Sequence, residues 1–379
     1  MNSTSLNAST IETKFKPKKL ELIQVFRGLA ASAVLLCHCD MILEEMFSQR
    51  FLSNVFSFGG AGVDFFFVLS GFIIFYIHAK DIEQPTKAKA FAIKRLIRVY
   101  PLYWLVLGLK MSSSWMSISW MSSYDSALKS RTAIEIIKAI TLFPQDKTLV
   151  ASGFLGVSWT LSFEVFFYFM FGLAIVFPRK IMLPIVGLWL SISLANLIGI
   201  VPLNSSSLLD SFWFSPLNLE FALGCLAAYL LQRYQFSHGL FILSFGLFLL
   251  SVSIAIDIYT STHNLPSLTK HLSVLFYGIP CWVLIMGGVT LESEKTIHIA
   301  PIFSAIGNAS YSIYLMHGFF ISNLAKLISK YSPSILNNSV LFYFTGVLCS
   351  AISMLLCYGV YCYIEQPMLL FCRRKFANS

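Results

Sequence analysis

Along the chain, apolar runs of about 18 residues or more alternate with short polar breaks, from near residue 21 to near residue 371. A helical run of that length crosses a hydrocarbon layer roughly 30 Å thick. The pattern predicts ten helical spans centred near residues 32, 68, 108, 168, 190, 223, 248, 281, 312 and 355. The expected fold is therefore an all-α integral membrane bundle of about ten transmembrane helices. An even number of spans places both termini on one side.

Charge fixes which side that is. Lys14, Lys16, Lys18 and Lys19 precede the first span. Lys80, Lys87, Lys89, Lys94, Arg95 and Arg98 join the second to the third, and Arg373, Arg374 and Lys375 follow the last. These clusters, with Arg179, Lys180, Arg233 and Lys295, fall on one face, which the positive-inside rule makes cytoplasmic. Residues 1–20 and 373–379 are then cytoplasmic tails around a membrane domain at 21–372. On the opposite side, the segment from Trp115 to Gly156 holds Trp115, Trp120 and Tyr124 and an expected interfacial helix from Thr132 to Leu142.

Composition agrees with this reading and narrows the function classes. Of 379 residues, 56% are hydrophobic and only 12% charged, against about 25% charged in ordinary soluble domains. The net charge of +9 is explained by orientation in the membrane, and nucleic acid is not an expected partner. The eight cysteines lie in or beside apolar segments and form no CxxC pair, so they read as small core hydrophobes. Cys37 and Cys39 flank His38, but helix neighbours point to different faces, and no metal site is expected. Residues 1–20 lack the apolar core and cleavage site of a signal peptide, so the first span is expected to stay in the membrane.

Ionisable groups inside a bilayer are costly and mark candidate sites. Arg27 and His38 are eleven residues apart, about three helical turns and about 16 Å along one face. A guanidinium nearer the cytoplasm can grip phosphate, and a neutral imidazole deeper in a dry layer can accept a hydroxyl proton. That separation suits a pantetheine arm; the bland alternative is that His38 only bonds another helix. Arg95 and Arg98 stand at helical spacing before Pro101 and Tyr103. Two such forks can hold a diphosphate, although positive-inside anchoring explains them almost as well.

Glu164, in Trp159-Thr160-Leu161-Ser162-Phe163-Glu164, is a carboxylate inside hydrocarbon. It can take a hydrogen bond from an acceptor sugar, orient a histidine, or bond within the bundle. Asp64, Glu220 and Glu365 are weighed in the same way. His317 ends the string Gly307 to His317 and can reach the depth of His38; an isolated histidine is more often structural. The other histidines, at 78, 238, 263, 271 and 298, lie near span ends or in loops.

Taken together, these strings resemble the bacterial membrane acyltransferase-3 family over nearly the whole chain. The pieces are Arg27-Gly28-Leu29-Ala30 through His38, Phe66-Phe67-Val68-Leu69-Ser70-Gly71-Phe72, Arg95-x-x-Arg98-x-x-Pro101-x-Tyr103, and the Trp159–Glu164 string. Later come Phe221-x-x-Gly224, Ser310-Tyr311-Ser312-Ile313-Tyr314-Leu315-x-His317, and Ile364-Glu365-Gln366-Pro367. The resemblance implies an O-acyltransferase of exopolysaccharide or O-antigen type, without the esterase-like C-terminal domain that some members carry. It further implies a bacterial inner-membrane location, acetyl-CoA as cytoplasmic acyl donor, and a glycan or lipid-linked glycan acceptor at the outer face.

In that frame His38 is the essential histidine, with Glu164 and His317 as catalytic candidates. Arg27, Arg95, Arg98 and Tyr103 serve the donor, and Trp159, Ser162 and Asp64 are candidates for the acceptor. His38 either takes the hydroxyl proton or is itself acylated. Two rival classes are a proton-coupled transporter or flippase, which also uses intramembrane carboxylates and histidines, and an accessory subunit of a polysaccharide export complex. The interrupted, inverted spans that favour a transporter are not seen.

Overall fold

The computed structural model describes residues 20–52, 55–115, 132–144, 155–200, 212–263, 265–266, 268–331 and 338–376. Lys14, Lys16, Lys18, Lys19, Trp120, Tyr124 and the side chain of Trp115 lie outside the described set.

All regular elements among the described residues are helices. In chain order they are α1 (Glu21–Phe47), α2 (Ala61–His78), α3 (Ala88–Trp115), α4 (Ala133–Thr141), α5 (Ser158–Val176), α6 (Arg179–Leu197) and α7 (Leu217–Arg233). There follow α8 (Gly239–Thr262), α9 (Leu268–His271), α10 (Ile279–Glu294), α11 (Pro301–Asn308), α12 (Ser310–Tyr331), α13 (Ser339–Val360) and α14 (Gln366–Phe376). Turns of π-helix at Val274–Gly278 and Tyr361–Glu365 lead into α10 and α14. Backbone groups in hydrocarbon must be satisfied within the segment, which leaves helices as the economical solution for so apolar a chain.

Every one of the ten expected centres falls in a helix, yet seven segments among the described residues are long and apolar enough to cross a membrane. These are Glu21–Phe47, Ser57–Asp81, Ser158–Val176, Arg179–Leu197, Gly239–Thr262, Val274–Glu294 and Ser339–Phe376. The other three centres lie in α3, α7 and α12. α3 carries Lys89, Lys94, Arg95, Arg98 and Lys110, α7 has only 17 residues, and α12 ends in Lys326 and Lys330.

Small residues set the helix spacing. A Cβ on Gly71 would stand 2.0 Å from the Phe221 carbonyl oxygen, and one on Gly224 1.8 Å from that of Val68, so α2 and α7 touch backbone to backbone. α1 meets α11 in the same way: a Cβ on Gly307 would lie 2.1 Å from the Gln24 carbonyl oxygen. Dispersion packing of this kind drives helix association where lipid is as apolar as leucine.

α4 is the expected short helix. Thr132 and Glu135 close a capping box at its start, and Leu142 ends it in the left-handed region. Its last carbonyls have no partners within the helix. Three α3 side chains donate to them: Tyr103 to Ala139 (2.6 Å), Trp104 to Ile140 (2.9 Å) and Tyr100 to Thr141 (2.8 Å). Ile134, Ile137 and Ile140 form an exposed apolar row at helical spacing.

Candidate active site

α1 positions both Arg27 and His38. Because Gly307 lets α11 approach, the chain enters α12 directly beside α1. Arg27 is buried there; its Nη2 donates to Ser310 Oγ at 2.8 Å and its Nη1 to Gln24 Oε1 at 3.0 Å. Further along α1, half-buried His38 meets fully buried His317 of α12, with Nδ1 of His38 2.7 Å from Nε2 of His317. The Nδ1 of His317 donates to the Ile313 carbonyl at 2.9 Å.

A cavity of about 80 Å³ opens at the Arg27 level between α1, α2, α3, α5 and α12. Arg27, Arg95 and Arg98 all line it, as do Glu164, Tyr168, Ser310, Tyr311 and Tyr314. The buried Arg95 guanidinium sits between the Phe91 and Tyr168 rings, each centroid 5.6 Å away, and its Nε has no hydrogen-bond partner. The Glu164 carboxylate accepts from the Tyr168 hydroxyl. Glu365 lies just outside the lining, takes a 2.5 Å hydrogen bond from Ser312 and is an electrostatic neighbour of Arg27 and Arg98. Three guanidiniums thus face one lining carboxylate, leaving the cavity a net demand for anionic ligand atoms. Tyr311 ties α12 to α3 through the Val99 carbonyl at 2.7 Å and so holds the arginine helix against the cavity.

His38 does not line the cavity. Tyr314 does, and it stands between the two features. Its hydroxyl is 2.9 Å from Thr160 Oγ1, and its ring centroid is 6.2 Å from that of His317 and 5.8 Å from that of Phe66. The arginine cavity and the histidine pair are therefore neighbours, with Tyr314 lining the one and packed near the other.

The remaining sequence candidates separate. Glu164, considered as an acceptor ligand, is seated among the arginines. Tyr103 is off the cavity and caps α4. Trp159 packs on Phe67 and Phe163, and Ser162 bonds the Ser158 carbonyl at 3.4 Å. Asp64 is buried away from the cavity and hydrogen-bonds Glu220, with Ser273 beside both. Thr160 and Tyr168 were not singled out as site residues by sequence reasoning; their helical offsets from Glu164, at i−4 and i+4, were the available signal. All eight cysteines are free thiols. Cys37 points to the Ser57 carbonyl and Cys39 to that of Gly346, in different directions.

A helical membrane bundle with a buried cationic cavity next to a histidine pair has the makings of a group-transfer enzyme acting within the bilayer. The chain belongs to the acyltransferase-3 family, whose Acyltransferase domain it matches over residues 21–359. It is a multi-pass membrane acyltransferase. Among curated relatives, it is 28% identical over 275 residues to the exopolysaccharide production protein ExoZ of Rhizobium meliloti (strain 1021), covering 72% of this chain and 79% of that protein. It is 25% identical over 320 residues to the acyltransferase MdmB of Streptomyces mycarofaciens, covering 79% and 78% respectively. Protein 2 in the picA locus of Rhizobium radiobacter is 33% identical over 94 residues, 24% of this chain and 44% of that protein. No solved structure matches the chain.

Proposed function

We propose that the protein transfers an acetyl group from cytoplasmic acetyl-CoA to a hydroxyl of a cell-surface polysaccharide, O-antigen or lipid-linked glycan at the bacterial inner membrane. The observation that carries this reading is the convergence of Arg27, Arg95 and Arg98 on one cavity, with His38 further along the same helix as Arg27. Phosphate oxygens of the donor satisfy the guanidiniums from the cytoplasmic side, and Arg95 Nε is already without a protein partner. The donor arm then runs along α1 for the roughly 16 Å that separates Arg27 from His38. It passes where Tyr314 bonds Thr160, so that bond opens when the donor is seated.

At the far end the imidazole of His38 meets the thioester and the acceptor hydroxyl. It acts as general base for direct attack or as the group that carries the acyl in between. The acyl group crosses the membrane uncharged. The likeness to ExoZ, an exopolysaccharide production protein, supports an exopolysaccharide acceptor, and that to the acyltransferase MdmB supports acyl transfer.

The test is His38→Ala in membranes supplied with acetyl-CoA. Acetyl transfer to the surface glycan is expected to vanish at unchanged protein level, and substantial remaining transfer removes His38 from the reaction. Free thiol released from acetyl-CoA by the purified protein separates an acyltransferase from a transporter, which would release none.

A further inference from the structure

The two hydrogen bonds at His317 determine where the protons sit in the histidine pair. A carbonyl oxygen only accepts, so the Nδ1 of His317, 2.9 Å from the Ile313 oxygen, carries hydrogen. His317 is 1% exposed, and among the described residues no carboxylate bonds either ring. A second proton on His317 would be a buried, unpaired cation, which is costly in an apolar bundle. Its Nε2 therefore presents a lone pair. The atom facing that lone pair at 2.7 Å is His38 Nδ1. For the pair to bond rather than repel, Nδ1 of His38 must be the protonated nitrogen, and its Nε2 is then bare.

We infer that His317 is a positioning residue that locks His38 in the Nδ1–H tautomer and so presents an unprotonated Nε2 to the reactants. Of the neutral proton arrangements, only this one satisfies both hydrogen bonds. In the opposite tautomer the lone pairs of His38 Nδ1 and His317 Nε2 would confront each other. The backbone of α12 thus sets the reactive edge of a side chain on α1, through one intervening ring.

The inference rests on the proposed acyl transfer, and it states which atom acts. In direct transfer the hydroxyl oxygen bonds to the thioester carbon and the carbon–sulfur bond breaks. The hydroxyl proton moves to His38 Nε2 and then to the leaving thiolate, so atoms and charge balance. While His38 is protonated, its Nδ1–H bond to His317 becomes charge-assisted, which stabilises the imidazolium without another carboxylate.

Two amide substitutions separate a tautomer lock from mere packing. His317→Gln places its carbonyl oxygen near the position of Nε2, where it still accepts from His38. His317→Asn places its amide near Nδ1, keeps the Ile313 contact and offers His38 nothing. With membranes carrying the native glycan and labelled acetyl-CoA, the Gln variant is expected to hold transfer within about tenfold of the parent. The Asn variant is expected to lose about 100-fold or more at unchanged KM for acetyl-CoA. Equal activity of the two, or loss in both while the protein stays folded, overturns the lock. Nitrogen-15 spectra of the unsubstituted, histidine-labelled protein test it independently of activity: hydrogen on Nε2 of His38 overturns it whatever the variants do. If the parent protein moves no acetyl group, the proposed function fails, whereas the tautomer spectrum stands or falls on its own.

Discussion

Gly307→Ala is the substitution whose consequence can be worked furthest from the structure. The added Cβ would stand 2.1 Å from the Gln24 carbonyl oxygen and 2.7 Å from its carbonyl carbon. Ordinary contact for such a carbon begins near 3.4 Å, so α11 must retreat from α1 by about 1.3 Å at this point. Both facing atoms are backbone, and no flexible side chain can yield in their place. Ser310 follows three residues later and takes nearly the whole shift. Its 2.8 Å bond to Arg27 then stretches towards about 4 Å and is lost. Misplacement of catalytic parts by 1 Å costs on the order of 100-fold in rate, and overpacking costs about 1–3 kcal/mol in stability. Acetyl transfer from labelled acetyl-CoA, read beside thermal unfolding in detergent, measures both. Gly318→Ala on α12 is the control, because a Cβ there meets nothing within 4 Å. Parental activity in Gly307→Ala, or equal damage from Gly318→Ala, would refute the claim that this helix contact aligns the site.

Arg95→Ala removes a guanidinium from the cavity and should raise KM for acetyl-CoA by roughly 10- to 100-fold, the equivalent of a charge-assisted hydrogen bond of about 1.5–3 kcal/mol; titration with coenzyme A alone should show the same weakening. Tyr103→Phe removes one of the two donors to the Ala139 carbonyl and leaves the Leu142 N–H in place, so it should lower stability by about 0.5–1.5 kcal/mol in a melting experiment. KM for acetyl-CoA should stay within about twofold, since Tyr103 lies off the cavity; a large rise in KM would return it to the donor site. Asp64→Leu leaves the buried Glu220 carboxyl with Ser273 as its remaining partner and should destabilise by about 1–3 kcal/mol, whereas Asp64→Asn should be close to neutral because it keeps a hydrogen-bonding group there. Equal melting temperatures for the two would show that the Asp64–Glu220 contact contributes nothing.

The division between what the chain shows and what folding adds follows from the range of the interactions. Helical period is local. Apolar run length alone therefore places helices at all ten expected centres, and a separation of eleven residues places Arg27 and His38 along one side of α1. Arg95 and Arg98, three apart, likewise reach one cavity together. The family was also legible, because its strings are short and continuous.

What a side chain meets across the bundle depends on which helices pack, and at what depth. His38 and His317 are 279 residues apart in the chain, and only the close approach of α1 to α11 and α12 makes them a pair. Glu164 joins the arginines, and Tyr103 turns to the end of α4, for the same reason: the helix period gives a residue its face, while packing gives that face its neighbour. The membrane leaves the neighbour open, since a polar group in hydrocarbon must find some partner, and composition does not say which.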